Sequence, residues 1–443
     1  MRDRIARRTV GVLAALTFVI SACSTTGSPA GAAPSGGGKQ FVFASTQFTP
    51  VEEQERMRTK ILGDFKAAQV DFVTEAENAS IDRVTAEAKA GGEGQVGLIG
   101  YENGQFGSLA KAGYLSDLGG LLAKYADRKI PQDMVTLGKL GTGQQLYIPW
   151  MQATYFLAIN KKALPYKPDG ADENALTYDQ LIAWGKNIRD KTGQARIGLP
   201  AGPNSLLHRL LQGFLYPSYT GGLVTTYKNA DAVTMWGKIK DLWAVSNPQS
   251  TTYAFMQEPL QSEEVWIGFD HVARLINVLK AKPGDFIAVP APAGPKGRYY
   301  MSVVVGLAIP KTTPNRAGAE ALIDYLLKPE TQIKTLRENS FFPVVDVKMP
   351  TDLDKGLQLE ADAVAKQAAA KDAKVVPLPV GLGAKGGDFN KAMVDTFQRI
   401  VIKGENIQTV LNEQAVLLQK AITDANAPCW GPDGTSSGPC QVK

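Results

Sequence analysis

Histidine and cysteine are the scarce residues. The 443-residue chain has 2 His and 3 Cys, too few soft ligands for a conventional zinc site, and no metal or other cofactor is expected. Charge of one sign is lacking too. There are 48 Lys and Arg against 43 Asp and Glu, a formal charge of +5, and Arg2, Arg4, Arg7 and Arg8 against Asp3 place most of that excess in the first 22 residues. The remainder, near about +2, makes no electrostatic case for nucleic acid as a partner. There is no His-Glu-x-x-His helix, no Walker loop and no Gly-x-Ser-x-Gly elbow on a strand-to-helix turn. Carboxylates could in principle pair about 5–10 Å apart for glycoside hydrolysis, but no such pair is visible, so an enzyme is not expected. The remaining composition, 44% hydrophobic and 21% charged with 44 Gly and 26 Pro, describes a folded chain of two or three domains.

The N-terminus reads as an export signal. Four arginines precede an apolar run, Val10 to Ile20, about half of the roughly 20 residues a spanning helix needs. Ile20-Ser21-Ala22-Cys23 resembles the lipobox of bacterial lipoproteins, which implies cleavage after residue 22 and lipidation of Cys23. Residues 24–40 are almost wholly Ser, Thr, Gly, Ala and Pro, a flexible tether with a reach of roughly 20–25 Å. Two lipid chains hold a protein on a bilayer where one does so only marginally. The expected location is the outer, extracytoplasmic face of the cell membrane. Cys429 and Cys440, eleven apart in a Gly- and Pro-rich tail, read as one disulfide in an exported protein.

From Phe41 onward, short β-type runs alternate with amphipathic stretches. Strands are expected at 41–44, 70–74 and 96–101, with helices at 50–68 and 81–90 between them. That order predicts an α/β fold with mainly parallel sheets, whose ligands bind beyond the C-terminal strand ends. Further strands are expected at 145–150, 155–160 and 301–309, and helices at 178–191, 317–327, 357–374 and 389–402.

Several stretches resemble the carbohydrate-type extracellular solute-binding proteins of bacterial ABC importers, the group that includes the maltose-binding protein. They are FGSLAKAGYLSDLGGLL from Phe106, QQLYIPWMQATYFLAINKKAL from Gln144, the helix start Thr177 to Trp184, residues 265–295, and residues 306–344 with GLAIPK, LIDYLLKPETQ and FFPV. The resemblance implies two lobes, each with a helix-flanked sheet, joined by segments crossing near Trp150 to Thr154 and Tyr300 to Val304. The expected division is residues 1–22 as signal peptide, 23–40 as lipidated Cys and tether, 41–150 with about 303–350 as first lobe, 155–300 with about 355–425 as second lobe, and 426–443 as disulfide-clasped tail. It implies capture of a sugar or oligosaccharide for delivery to an ABC permease, by a monomer. A glycerol phosphodiester or sugar phosphate is the alternative in the same class; it requires a cationic cluster, for which Arg83, Arg274 and Arg298 are the nearest arginines. A surface interaction lipoprotein or a glycoside hydrolase is the alternative outside it.

Sugars offer apolar CH faces and rings of hydroxyls, so their sites combine aromatic platforms with bidentate polar side chains. Candidates at strand ends are Gln47 after the first strand, Glu77 after the second, and Tyr101, Glu102 and Asn103 after the third. Trp150, Gln152 and Tyr155 stand at the first crossing. In the second lobe Asn204, His208, Asp270 and His271 are candidates, and Phe389 takes the place of a ligand-stacking aromatic in the family. Substituting Cys23→Ala should release the protein from the membrane into the medium; a variant that stays with the membrane fraction would contradict the lipobox reading.

Overall fold

The computed structural model describes residues 38–48 and 51–443; the signal peptide, Cys23 and nearly all of the tether lie outside the described residues. Eleven strands follow in chain order: β1 (Phe41–Ser45), β2 (Val70–Thr74), β3 (Val96–Glu102), β4 (Ile148–Ala153), β5 (Tyr155–Asn160), β6 (Ile197–Gly198), β7 (Ile267–His271), β8 (Phe286–Val289), β9 (Arg298–Ala308), β10 (Phe342–Pro343) and β11 (Ala373–Pro377). They form two sheets. One has the order β10-β4-β9-β3-β1-β2 with β11 also on β9; the other has the order β6-β7-β5-β8.

The first three strands pair in parallel through β1, with Phe43 opposite Phe72 and Leu98. That is the arrangement right-handed β-α-β crossovers produce. Beyond β3 the direction changes: β9 runs antiparallel to β3 and to β4, and β5 is antiparallel to both neighbours. Both sheets are therefore mixed rather than mainly parallel, because β9 returns from far along the chain to enter the first sheet between β3 and β4, and β5 enters the second between β7 and β8, each against the direction of those neighbours.

The helix after β1 covers Val51–Ile61 and closes in one tight turn, Leu62–Asp64, burying Met57 and Ile61. It is shorter than the periodicity predicts. The next helix starts earlier than expected, at Glu77, and stops at Ala90, where Gly91 at φ +73° ends it; a positive φ of this kind is cheap only for glycine. The alanine-rich helix runs only over Lys355–Ala369, and Ala373–Pro377, read in part as its continuation, is strand β11 on β9.

Three segments pass between the lobes. At Thr154 the chain leaves β4 in one sheet and enters β5 in the other. The long strand β9 pairs with β11 over residues 298–302 and with β3 and β4 over 303–308. The third segment leads from β10 to the helix 355–369. Buried side chains tie these crossings together. Thr154 Oγ1 donates to the Met301 carbonyl at 2.7 Å, and the Gln367 amide donates to Thr154 Oγ1 and the Tyr155 carbonyl, both at 3.2 Å. Gln332 donates to the carbonyls of Trp150 and Leu326 at 2.7 Å while its oxygen accepts from Val344 N.

The tail carries the expected disulfide between Cys429 and Cys440, and Trp430 packs edge-on to Phe389 at 5.6 Å. Residues 434–438 spell Gly-Thr-Ser-Ser-Gly, but Ser436 lies within this tail, accepting from Cys429 N and donating to the Gly438 carbonyl, not on a strand-to-helix turn. Asp433 pins the tail to the second lobe. Its carboxylate accepts from the backbone N–H of Leu223, Val224 and Thr225 at 2.8–3.1 Å and from the Thr225 hydroxyl. Three N–H groups without partners in a buried turn are costly. Asp433→Ala should therefore lower the unfolding free energy by about 2–4 kcal/mol in denaturant titration, and a change below about 0.5 kcal/mol would show the tail to be ornamental.

Candidate functional site

A cavity of about 550 Å³ lies between the lobes. Four first-lobe segments reach it, one of them the residue before β10, Phe341. After β1, Ser45 Oγ accepts from Gln47 N at 3.0 Å and donates to the Gly100 carbonyl at 3.0 Å, presenting Thr46 and Gln47 at the wall. Phe48, in a left-handed conformation at φ +61°, turns its ring inward against Trp150 and Phe341 at 5.9 and 5.3 Å. The first turns of the helix 51–61 supply Glu52, Glu53 and Arg56. Glu102 ends β3 and caps the turn Asn103–Gln105, whose Gln105 side chain accepts from Glu102 N at 3.0 Å.

The second lobe answers with Tyr155 at the start of β5, its ring 5.8 Å from Phe269 and 5.1 Å from His271. Leu206 and Arg209 come from the short helical turn around 207–210, and Phe255, Gln257 and Glu258 from the segment before β7. His271 caps the helix Val272–Ala281, its Nδ1 accepting from Ala273 N at 3.2 Å. Arg274, one turn on, lies 4.5 Å over the Phe255 ring and donates to the Ala254 carbonyl at 3.2 Å.

Carboxylates and guanidiniums face each other across this cleft. Glu102 and Arg209 form an ion pair from lobe to lobe at 3.0 Å. Arg56 Nε donates to Asn339 Oδ1 at 3.0 Å. Burial pushes the Glu53 carboxyl up to about 7, against the opposing pull of Arg56 and Arg274. Burial, followed by the positive field of Arg274 and Arg209, brings His271 down to about 3. A neutral imidazole is also what its acceptor role at the helix cap requires.

Gln47, Glu102, Tyr155 and His271 come together on this cavity, joined by Arg274. Glu77 lines a small crevice of about 30 Å³ on the far side of the Glu102–Arg209 pair; burial and the nearby Glu102 raise its carboxyl. The other expected residues stand elsewhere. Tyr101 is buried under the helix 77–90, its hydroxyl 2.6 Å from Ser80 Oγ, because side chains alternate along β3 and this one points to the helix-covered face. Asn103 is buried in the turn after it. Trp150 is buried against Phe43 and Phe48, an anchor of the crossing rather than a wall of the cleft, and Gln152 donates to the Pro343 carbonyl at 2.9 Å between β4 and β10. Asn204 supplies only a carbonyl near Arg274, and His208, held well below its ordinary range by burial, is not among the lining residues. Asp270 is fully buried and accepts from Met256 N and His271 N at 3.0 and 2.8 Å; it shapes the walls from behind, and burial raises it to about 6. Phe389 is core, under Trp430.

Glu52, Glu53, Arg56, Arg209 and Phe255 were not singled out from the sequence. The first three had a readable signal, since a helix directly following the first strand must start at the ligand end of the sheet. Arg209 and Phe255 had none, because only tertiary folding brings their segments to the cleft.

The model of bacterial extracellular solute-binding proteins matches residues 51–333, more than half of the chain. The chain belongs to that family. Solved structures agree on the fold. A maltose-bound MalE3 of T. maritima superposes with a TM-score of 0.68 at 16% identity, covering 86% of this chain and 99% of its own. The GacH receptor of Streptomyces glaucescens gives 0.65 at 17%, with 87% and 98% covered. UgpB from Mycobacterium tuberculosis in complex with glycerophosphocholine gives 0.66 at 14%, with 87% and 98% covered. No curated protein sequence matches significantly. The chain is thus a solute-binding protein of two-lobed α/β architecture, and its family is extracellular.

Glu53 makes the cleft a source of pH dependence. Its folded-state pKa lies above the ordinary carboxylate range, so between about pH 4.5 and 7 the folded protein holds a proton that the unfolded chain has released, and stability falls as pH rises through that window. Glu53→Gln should melt with the wild type near pH 5 and above it near pH 8, with Asp270 contributing equally to both proteins. Identical melting temperatures at both pH values would contradict the burial of this carboxyl.

Proposed function

We propose that the protein is the receptor of an ABC importer, captures a hydroxyl-rich solute such as a sugar or short oligosaccharide between its lobes, and delivers it to a membrane permease without chemical change. The observation carrying this reading is the interlobe cleft, where Phe48, Phe255, Phe341 and Tyr155 offer apolar surface and Gln47, Glu53, Glu102, Gln257, Arg209 and Arg274 offer directional polar groups. Its volume falls within the range of about 300–1,000 Å³ of small-molecule sites. Structural relatives bound to maltose and to acarbose point the same way. We further propose that the lipidated Cys23 holds the receptor at the extracytoplasmic face of the membrane and that it works there as a monomer.

The phosphodiester alternative draws support from three arginines on one cavity and from the relative that binds glycerophosphocholine. Two of the arginines expected for it stand apart: Arg83 pairs with Glu75 at 2.8 Å, and Arg298 is buried against the Ala291 carbonyl. Of the three guanidiniums in the cleft, Arg209 is neutralised by Glu102, Arg56 gives its Nε to Asn339, Arg274 gives one nitrogen to backbone carbonyls, and the carboxylates of Glu52, Glu102 and Glu258 match them in number. A phosphate needs a site of net positive charge, and the carboxylates that balance the guanidiniums here favour an uncharged solute.

Thermal-shift and calorimetric screening of neutral mono- and oligosaccharides against sugar phosphates and glycerophosphodiesters tests this choice. A neutral sugar should bind, and Arg274→Ala should weaken it by about tenfold to a hundredfold. Saturable binding confined to the phosphorylated compounds would establish the alternative, and turnover of a glycoside would establish a hydrolase.

A further inference from the structure

The Glu102–Arg209 pair is the wall shared by two cavities. On one side lies the cleft of about 550 Å³, on the other the crevice of about 30 Å³ that contains Glu77. Both side chains are largely enclosed, 18% and 13% exposed. Glu102 is fixed before it meets its partner: it caps the turn 103–105, and Gln105, which braces that turn, also accepts from Thr46 Oγ1 at 2.7 Å. Beyond the pair the two sides of the crevice touch backbone to backbone. A Cβ on Gly104 would run into the Pro379 carbonyl oxygen, and one on Gly107 would lie 3.4 Å from Gly381 Cα. Gly381 itself is at φ +80°. This end of the interlobe space is therefore sealed twice, by a charge pair and by a glycine-lined seam, whereas Glu52 and Glu258 on the cleft lining are exposed.

We propose that Glu102 and Arg209 form a cross-lobe latch that keeps this end of the cleft shut without a solute and sets its end wall, so that solute enters beside Glu52 and Glu258. The end-wall role rests on the cleft being the solute site; the latch does not. A charge-assisted pair of this burial shifts a two-state ratio by about tenfold to a hundredfold, and local opening of that kind is read by amide exchange.

Hydrogen-exchange mass spectrometry of the full-length protein without added solute tests the latch, and its result is independent of any solute screen. Arg209→Gln should speed exchange about tenfold or more in peptides covering both 103–111 and 378–386 while leaving a β1 peptide unchanged. Glu102→Gln, which keeps an oxygen acceptor for the cap, should do the same. Unchanged exchange in the two seam peptides would overturn the latch, and so would acceleration that extends equally to β1, since that reports general destabilisation.

Discussion

Between Ala153 and Tyr155 the chain leaves one sheet and enters the other with a single residue to spare, and the cleft exists because that crossing is narrow. Thr154 cannot be covered by either sheet alone, so its hydroxyl and the backbone beside it are satisfied by Met301 on β9 and by Gln367 on the helix that the third crossing leads into. Buried polar groups carry a penalty unless they are paired. The three crossings are consequently held in one polar knot at the base of the cleft. Rotation about a few residues of this kind is how two-lobed proteins close, and a solute favours closure to the extent that it touches both lobes.

The cleft sets burial against charge. Tyr155, Phe48 and Phe341 exclude water, which strengthens every polar contact beside them and also pushes Glu53 towards its neutral form. A protonated Glu53 is a donor as well as an acceptor, and His271, kept neutral, cannot compete with the arginines for an anion. Of the arginines, Arg209 is paired with Glu102, while Arg56 and Arg274 give one nitrogen each to Asn339 and to backbone carbonyls. The resulting surface is rich in directional hydrogen-bonding groups and carries no excess of positive charge, which suits a polyol better than an anion.

Much of the architecture was legible in the sequence. The three parallel strands follow from alternating apolar runs and turn residues, the pairing of Cys429 with Cys440 from an even pair of cysteines in an exported chain, and the crossings at Trp150 to Thr154 and on β9 from the family resemblance. Strand direction beyond β3 was not, because antiparallel return depends on partners far along the chain. The site was half legible. Loops at the ends of β1 and β3 did contribute Gln47 and Glu102, but neighbouring residues diverged: Tyr101 and Glu102 differ by one position and face opposite sides of the sheet. Trp150 and Asp270 sit at the right places in the chain and are turned into the core, where a ring or a carboxyl that sequence places near a ligand instead supports the residues that face it. Arg209 and Arg274 owe their roles to helix starts that only packing positions.

The central claim is that one solute is held simultaneously by both lobes. A crystal structure of the protein with the solute identified by screening tests it most directly. The account predicts that the solute lies in the cleft in contact with Glu53 or Glu102 on one side and Tyr155 or Arg274 on the other. A solute bound to a single lobe, or outside the space between Phe48 and Phe255, would contradict it.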